Sequence, residues 1–361
     1  MNLQDCVGGF FYDNLKVIDM VINDRMKAIL NAVVYRYITT AEPIGSEMIV
    51  QNYGLEVSSA TIRHDMQVLE KLGFLKKPHT SAGRVPTDKG YRFYVDRLIS
   101  KNMTNLSKAE KKEIIGQYEI RKEFNEIMRI TSKLISRLTN NLGVVLAPNM
   151  INDTLKDIHF ILLDQQRILV TLITNSGLFF QKIMKVSCDI SEENLEAIAR
   201  IIKKEFYGKS LEIVNDEMLE KIYQHYFKYR TLDSIWKLIE NCFDFKDDEE
   251  NIFLGNRCYI LRQPEFKEIE KLNYLFDFIE EEKNLVQIIK KSLLNKQFDI
   301  VIGSELEQKV MQDCSVITRQ YSIKGKPMGA ISVLGPTRMN YTKAASILNF
   351  IANRLSEILS E

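Results

Sequence analysis

The run SSATIRHDMQVLEKLGFLKKPHTSAGRVPTDKGYRFYVD, Ser58 to Asp96, decides the fold of the N-terminal part of this chain. Ser58 is a good helix N-cap, and Val57 before it is placed to staple onto Ile62. Ile62, Met66 and Leu69 recur on one helical stripe, and Gly73 supplies a left-handed stop. The opposite face displays Ala60, Arg63, His64, Gln67 and Lys71, flanked by Thr61. Phe74 to Lys77 then reads as a strand, followed by the loop PHTSAGRVP. Thr87 caps a further helix bearing Tyr91, Tyr94, Val95 and Leu98.

Upstream, Met26, Ile29, Leu30, Val33, Val34, Tyr37 and Ile38 mark an amphipathic helix starting near Asp24, with Asn23 or Asp24 as its cap. Pro43 and Gly45 break it. A short helix, Ser46 to Tyr53, carries Ile49, Val50 and Tyr53 inward and ends at Gly54. Three short helices, a strand and a Gly-containing basic loop make a winged helix-turn-helix. Residues 1–19 precede the pattern and read as a dispensable extension or an upstream start.

The whole chain, 361 residues with a net charge of +1, has no global pull toward nucleic acid. Distribution matters more: between Arg63 and Arg97, eight basic residues face four acids, Asp65, Glu70, Asp88 and Asp96. Arg63 and Gln67 have the geometry that reads guanine and adenine edges in a major groove, with Thr61, His64 and Lys71 beside them. Ser58, Ser59 and the helix N-terminal amides suit phosphates. In the loop, His79, Thr80, Ser81 and Gly83 bring donors with little apolar anchoring. Arg84 is expected to enter a minor groove, and Lys76 and Lys77 to neutralise phosphates.

Behind this head, polar residues from Asn102 lead into a long helix, Lys108 to Asn141. Strands are expected at 142–146, 158–164, 167–175 and 178–186, then helices at 192–206, 216–228 and 232–242. A weak strand at 258–262 and a helix at 274–294 follow. Strands at 299–302, 315–323 and 328–334, the last two joined at Gly325-Lys326, precede a final helix from Tyr341 to Leu359. Tyr223, Tyr226, Phe227 and Tyr229 could stack on bases but read better as core or dimer contacts. The acidic run from Asp244 to Glu250 reads as a solvated loop.

Enzyme chemistry has little footing: there is no nucleophile–base pair, P-loop or GxGxxG. No cofactor is expected. The five cysteines and four histidines are scattered, with neither CxxC nor HExxH, so no metal site or disulfide framework is expected. No apolar run reaches membrane-spanning length and no secretory signal precedes the first helix, so a cytoplasmic location is expected. The remaining rival to a DNA-binding reading is an RNA-binding or protein-interaction module on the same scaffold.

The text ATIRHDM (Ala60 to Met66) and PHTSAGRVPTDKGYR (Pro78 to Arg92), supported by ILNAVVYRYI and EPIGSEMI upstream, closely resembles the heat-inducible transcription repressor HrcA family. Looser pieces follow in GSE (303–305) and GKPMGAISVLGPTRMNY. Ser59 stands where the family usually has Pro, and His64 where it usually has Asn. The resemblance implies an α+β multidomain repressor of heat-shock chaperone operons, with a GAF-like α/β body and an inserted, mostly helical dimerisation domain. It implies a homodimer on an inverted-repeat operator in double-stranded DNA, with repression lost on heat stress, and the GroEL chaperonin as a further partner. The expected domains are an extension at 1–22, a DNA-binding domain at 23–100, a GAF-like domain at 101–190 plus 263–361, and the insert at 191–262.

Overall fold

A computed structural model of the chain describes residues 22–53, 57–79, 82–100, 106–118, 123–148, 153–177, 179–186, 190–211, 252–294 and 296–360. The N-terminal extension, the expected helices at 216–228 and 232–242 with their aromatic run, the acidic loop, and Thr80 and Ser81 lie outside these residues. The architecture is mixed α/β with antiparallel sheets, and the chain divides into two compact units.

The first unit begins with helices α1 (Asp24–Thr40), α2 (Ser46–Tyr53) and α3 (Ser59–Lys71), a short antiparallel pair β1 (Leu75–Lys76) and β2 (Val85–Pro86), and α4 (Asp88–Ser100). Asn23 settles the start of α1, its side chain accepting from the Met26 amide at 2.9 Å. Ile29, Leu30, Val33, Ile49, Ile62 and Leu69 meet as a dry core among the three helices. Gly73 takes a positive φ of 78°, the left-handed stop that α3 requires.

The same unit continues with α5 (Lys108–Gly116) and α6 (Phe124–Thr139). The single long helix expected over 108–141 is therefore two helices, the first ending at Gly116. A five-stranded antiparallel sheet follows, ordered β7-β3-β10-β9-β8, from β3 (Leu142–Leu146), β7 (Ile252–Leu254), β8 (Phe298–Ile302), β9 (Cys314–Ile323) and β10 (Lys326–Pro336). All five β3 residues are buried, as a strand covered on both faces must be. Leu142, Val144 and Leu146 meet the apolar sides of α9 (Ile269–Glu280) and α10 (Glu282–Ser292). Helix α6 packs along β3 and β7. The last helix, α11 (Tyr341–Ile358), buries Ile347, Leu348, Ile351 and Leu355.

Two further expectations change here. Residues 258–261 form a one-turn helix, α8 (Cys258–Leu261), instead of a strand, because the Asn256 side chain accepts from the Cys258 amide at 2.9 Å and starts a turn. The helix expected over 274–294 is broken at Glu281, whose ψ of 82° is not helical and whose carboxylate takes the Asn284 side-chain amide at 2.9 Å.

The second unit is built on a meander, β4 (Leu155–Asp164), β5 (Arg167–Thr174) and β6 (Phe179–Lys185), with α7 (Glu192–Phe206) on one face. Leu155, Ile158, Ile168, Val170 and Leu172 pack there against Leu195, Ile198, Ile202 and Phe206. These three strands do not join the five-stranded sheet; they share a core with α7, and the unit starts at Ala147. Among the described residues, no helix is long and apolar enough to cross a membrane.

Candidate nucleic-acid interface

Helix α3 is fixed at both ends before its exposed face is considered. The Ser58 hydroxyl accepts from the Thr61 amide at 3.2 Å, and the Ser58 and Thr61 hydroxyls lie 2.9 Å apart. The Ser59 hydroxyl meets that of Ser46, the first residue of α2, at 2.9 Å, so the N-termini of α2 and α3 are joined. At the other end the Lys89 ammonium donates to the Leu72 carbonyl at 2.9 Å while lying 4.5 Å from the centre of the Phe74 ring. The Thr87 hydroxyl donates to the Gly73 carbonyl at 2.6 Å and receives the Gly90 amide at 3.2 Å. One threonine therefore ends the turn after α3 and starts α4.

With Ile62, Met66 and Leu69 inward, Arg63, His64, Gln67 and Lys71 are exposed along one side of α3. Lys76, Lys77 and His79 are exposed on the hairpin that follows, so the structure brings these seven residues to neighbouring segments of one small fold. Ser58 is exposed, while Ser59 and Thr61 are half-buried and already hydrogen-bonded.

Arg84 departs from its expected place. It is buried, with a bidentate backbone link to Ile44 (2.9 and 2.8 Å) and its Nε donating to Glu70 at 2.8 Å. The guanidinium is spent on joining the hairpin to α3 and is not presented to a groove. Gly83 beside it is also structural. A Cβ there would fall 2.5 Å from the Ile44 backbone, so only glycine permits the bridge between the hairpin and the α1–α2 turn.

The placement of acids explains how a nearly neutral protein presents a basic face. Asp65 is 1% exposed and accepts from Arg25 Nε at 2.6 Å. Glu70 holds Arg84, Asp96 lies 3.5 Å from Arg92, and Asp88 accepts from the Ser304 amide and hydroxyl at 2.9 and 2.8 Å. Every acid between residues 63 and 97 is occupied, whereas Arg63, Lys71, Lys76 and Lys77 point to solvent. Sequence reasoning missed Arg25, Asp65, Glu70 and Lys89 as supports. Asp65 carried a signal, since it sits three residues after Ile62 and four before Leu69, on the buried stripe.

Tight links also join this head to the rest of the first unit. Arg92 donates to Glu305 at 2.8 Å and to the Ile300 carbonyl at 2.6 Å. Arg338 pairs with Glu265, donates to Gln263 at 3.1 Å and reaches the Ile38 carbonyl at 3.2 Å. Burial holds the Tyr91 hydroxyl well above the usual phenol range. Among the described residues no group of His, Cys, Asp and Glu is gathered as a metal site.

Comparison with known proteins adds an independent line. Residues 125–345 match the family model described as HrcA protein C terminal domain. A heat-inducible transcription repressor HrcA of Pelotomaculum thermopropionicum is 34% identical over 94% of this chain and 97% of its own. One of Carboxydothermus hydrogenoformans is 36% identical over 94% and 98%. Among solved structures, the crystal structure of a hypothetical protein superposes with a TM-score of 0.62 at 23% identity, covering 94% of this chain and 99% of that one. That likeness bears on the fold alone.

Proposed function

Since this chain belongs to the HrcA family of heat-inducible transcription repressors, we propose that it represses heat-shock chaperone operons by binding an inverted-repeat DNA operator as a homodimer. Repression is released by heat, and no catalysis is involved. Residues 23–100 act as a winged helix-turn-helix, with α3 in the major groove and the β1–β2 hairpin as the wing. The five-stranded sheet and its helices form a GAF-like body.

The observation that carries this reading is the segregation of charge around α3: each nearby acid is turned inward onto a partner, while Arg63, His64, Gln67 and Lys71 are left exposed. Arg63 and Gln67 serve as base readers, with His64 beside them. Lys71, Lys76, Lys77 and His79 serve the phosphates, together with the hydroxyl of Ser58. Ser59, Thr61, Gly83 and Arg84 act indirectly, by holding the helix and the wing in position.

An inverted repeat requires a two-fold axis, and the second unit offers the self-complementary surface for it. The face of the meander away from α7 aligns Ile161, Leu169 and Ile183 across its three strands, with Ile161 51% and Ile183 60% exposed. Phe179, 64% exposed, lies on the same face beyond the row of His159, Thr171 and Gln181. A second copy of the same face is the occupant.

Footprinting of the full-length protein on the promoters of its own chaperone operons tests the reading. A protected inverted repeat that disappears on heating is expected. Equal affinity for unrelated duplex, or preference for single-stranded RNA, would refute it.

A further inference from the structure

The triplet Gly303, Ser304 and Glu305 lies outside the α3 face, yet each of its residues meets helix α4 of the head. It opens a 3-10 turn, Gly303–Leu306, directly after β8, and both sides of the contact belong to the first unit. The Ser304 amide and hydroxyl both donate to the Asp88 carboxylate, at 2.9 and 2.8 Å. The Glu305 carboxylate accepts from Arg92 Nε at 2.8 Å and from a terminal nitrogen of the same guanidinium. It also takes the Ile302 amide at 2.8 Å, which holds it in place from behind. Arg92 reaches past it to the Ile300 carbonyl at 2.6 Å. Gly303 has a φ of 52°, and a Cβ there would fall 2.5 Å from the Asp88 carboxylate. A side chain at that position would push Asp88 out of the turn.

Asp88 and Arg92 are four residues apart, one above the other on one side of α4. The head thus meets the body with two prongs of opposite charge, and the body answers with donors for the first and acceptors for the second. Charge-assisted, forked contacts of this kind fix direction as well as distance. None of these contacts involves α3, whose cap at Ser58 and inward residues Ile62, Met66 and Leu69 lie elsewhere in the head. The mount can therefore be altered while the reading surface stays as it is.

A dimer on an inverted repeat binds its second half-site intramolecularly. It gains from this only if the second head stands at the separation and rotation that the DNA demands. We propose that the socket of Gly303, Ser304 and Glu305, by gripping Asp88 and Arg92, restricts the operator to one half-site spacing. Asp88 and Arg92 are then positioning residues that touch no DNA. The inference rests on the chain acting as a dimer on an inverted repeat.

The full-length protein is tested on three duplexes: the inverted repeat protected in footprinting, that repeat with two base pairs inserted between its half-sites, and a single half-site. The insertion moves one half-site about 7 Å along the helix axis and turns it about 70°. The parent should lose at least about tenfold in affinity on the lengthened repeat. With Ser304→Ala and Glu305→Ala together, that penalty should shrink to about threefold or less, while affinity for the single half-site stays as in the parent. Gly303→Ala, which crowds Asp88 instead of deleting its partners, should do the same. Circular dichroism of each variant confirms that it is folded. A parent that prefers the inverted repeat yet tolerates the insertion overturns this inference alone. So do variants that keep the parent's penalty, whether or not their affinities for all three duplexes fall together. A parent that binds the repeat no better than the single half-site overturns the dimer reading, and this inference with it.

Discussion

Among the described residues, helix α3 and the outer face of the β4–β5–β6 meander both present exposed side chains, yet the chain prepares them by different means. On α3 the exposed side chains are polar, and the work of the surrounding residues is to hold them still. Ser59, Lys89 and Arg84 are all spent on fixing the helix, and the nearby acids are withdrawn onto partners. On the meander the corresponding face carries an apolar row, Ile161, Leu169 and Ile183, next to a polar one, His159, Thr171 and Gln181. Ile161, Leu169 and Ile183 stand side by side because β4 and β6 pair with β5 in register. One surface presents charged, directional groups, and the other a row of aliphatic side chains.

The sharpest way to break this contrast is to charge the apolar face. Ile183→Asp, alone or with Ile161→Asp, should convert the protein to a monomer in sedimentation. Operator affinity should then fall roughly a hundredfold or more as the two half-sites uncouple. An unaltered dimer would move the two-fold interface elsewhere in the chain. The next effect is on reading: Gln67→Ala or Arg63→Ala should cost about 1–3 kcal/mol on the operator and much less on random duplex, measured by fluorescence anisotropy. Equal losses on both DNAs would reduce α3 to a phosphate contact.

Arg84 separates support from contact. Arg84→Ala leaves Glu70 without its partner and should destabilise the fold by about 1–3 kcal/mol in a denaturant titration. Once the fraction folded is accounted for, the salt dependence of DNA binding should stay as in the parent. Lys76→Ala should do the reverse, leaving stability unchanged and flattening the slope of log affinity against log salt by about 0.9.

The smallest effect concerns pH. The Asp96 carboxyl sits above its ordinary range in the folded state, chiefly through burial. The folded protein therefore holds that proton more tightly than the unfolded chain does. Its contribution to stability falls as pH rises through the window between the ordinary aspartate value and the raised one. Asp96→Asn should consequently gain slightly in melting temperature against the parent above that window, and lose the gain at more acid pH. A gain that is constant with pH would remove titration of Asp96 as its cause.

The two regions were unequally legible in the sequence, for the same reason that they differ physically. Helix α3 is specified by neighbours a few residues apart: a serine before it, a glycine after it and an apolar stripe between. These were readable, and the stop at Gly73 and the cap at Ser58 fall where the sequence puts them. Arg84 was not readable, because its partners Glu70 and Ile44 come from other segments, and a guanidinium that crosses to another segment looks the same in one dimension as one that faces solvent. The meander shows the same limit at larger scale. Alternation predicts β4, β5 and β6 as strands, yet it carries no label for the sheet they join, and they form a sheet of their own apart from the five-stranded one. Asn256 and Glu281 are intermediate cases, where one polar side chain starts or interrupts a helix against the apolar period.

The mounting of the head has a consequence for the order in which the protein is made. Ile38 receives Arg338, 300 residues further along the chain, and Asp88 is held by Ser304, 216 residues further on. The three-helix core is built from residues close together in the sequence, whereas these anchors are synthesised more than 200 residues later. At roughly 5–20 residues per second, the interval between Ile38 and Arg338 is roughly 15–60 seconds. During that time a nascent chain carries α3 without the Arg338 and Ser304 links, and a chain truncated before Gly303 would lack both permanently.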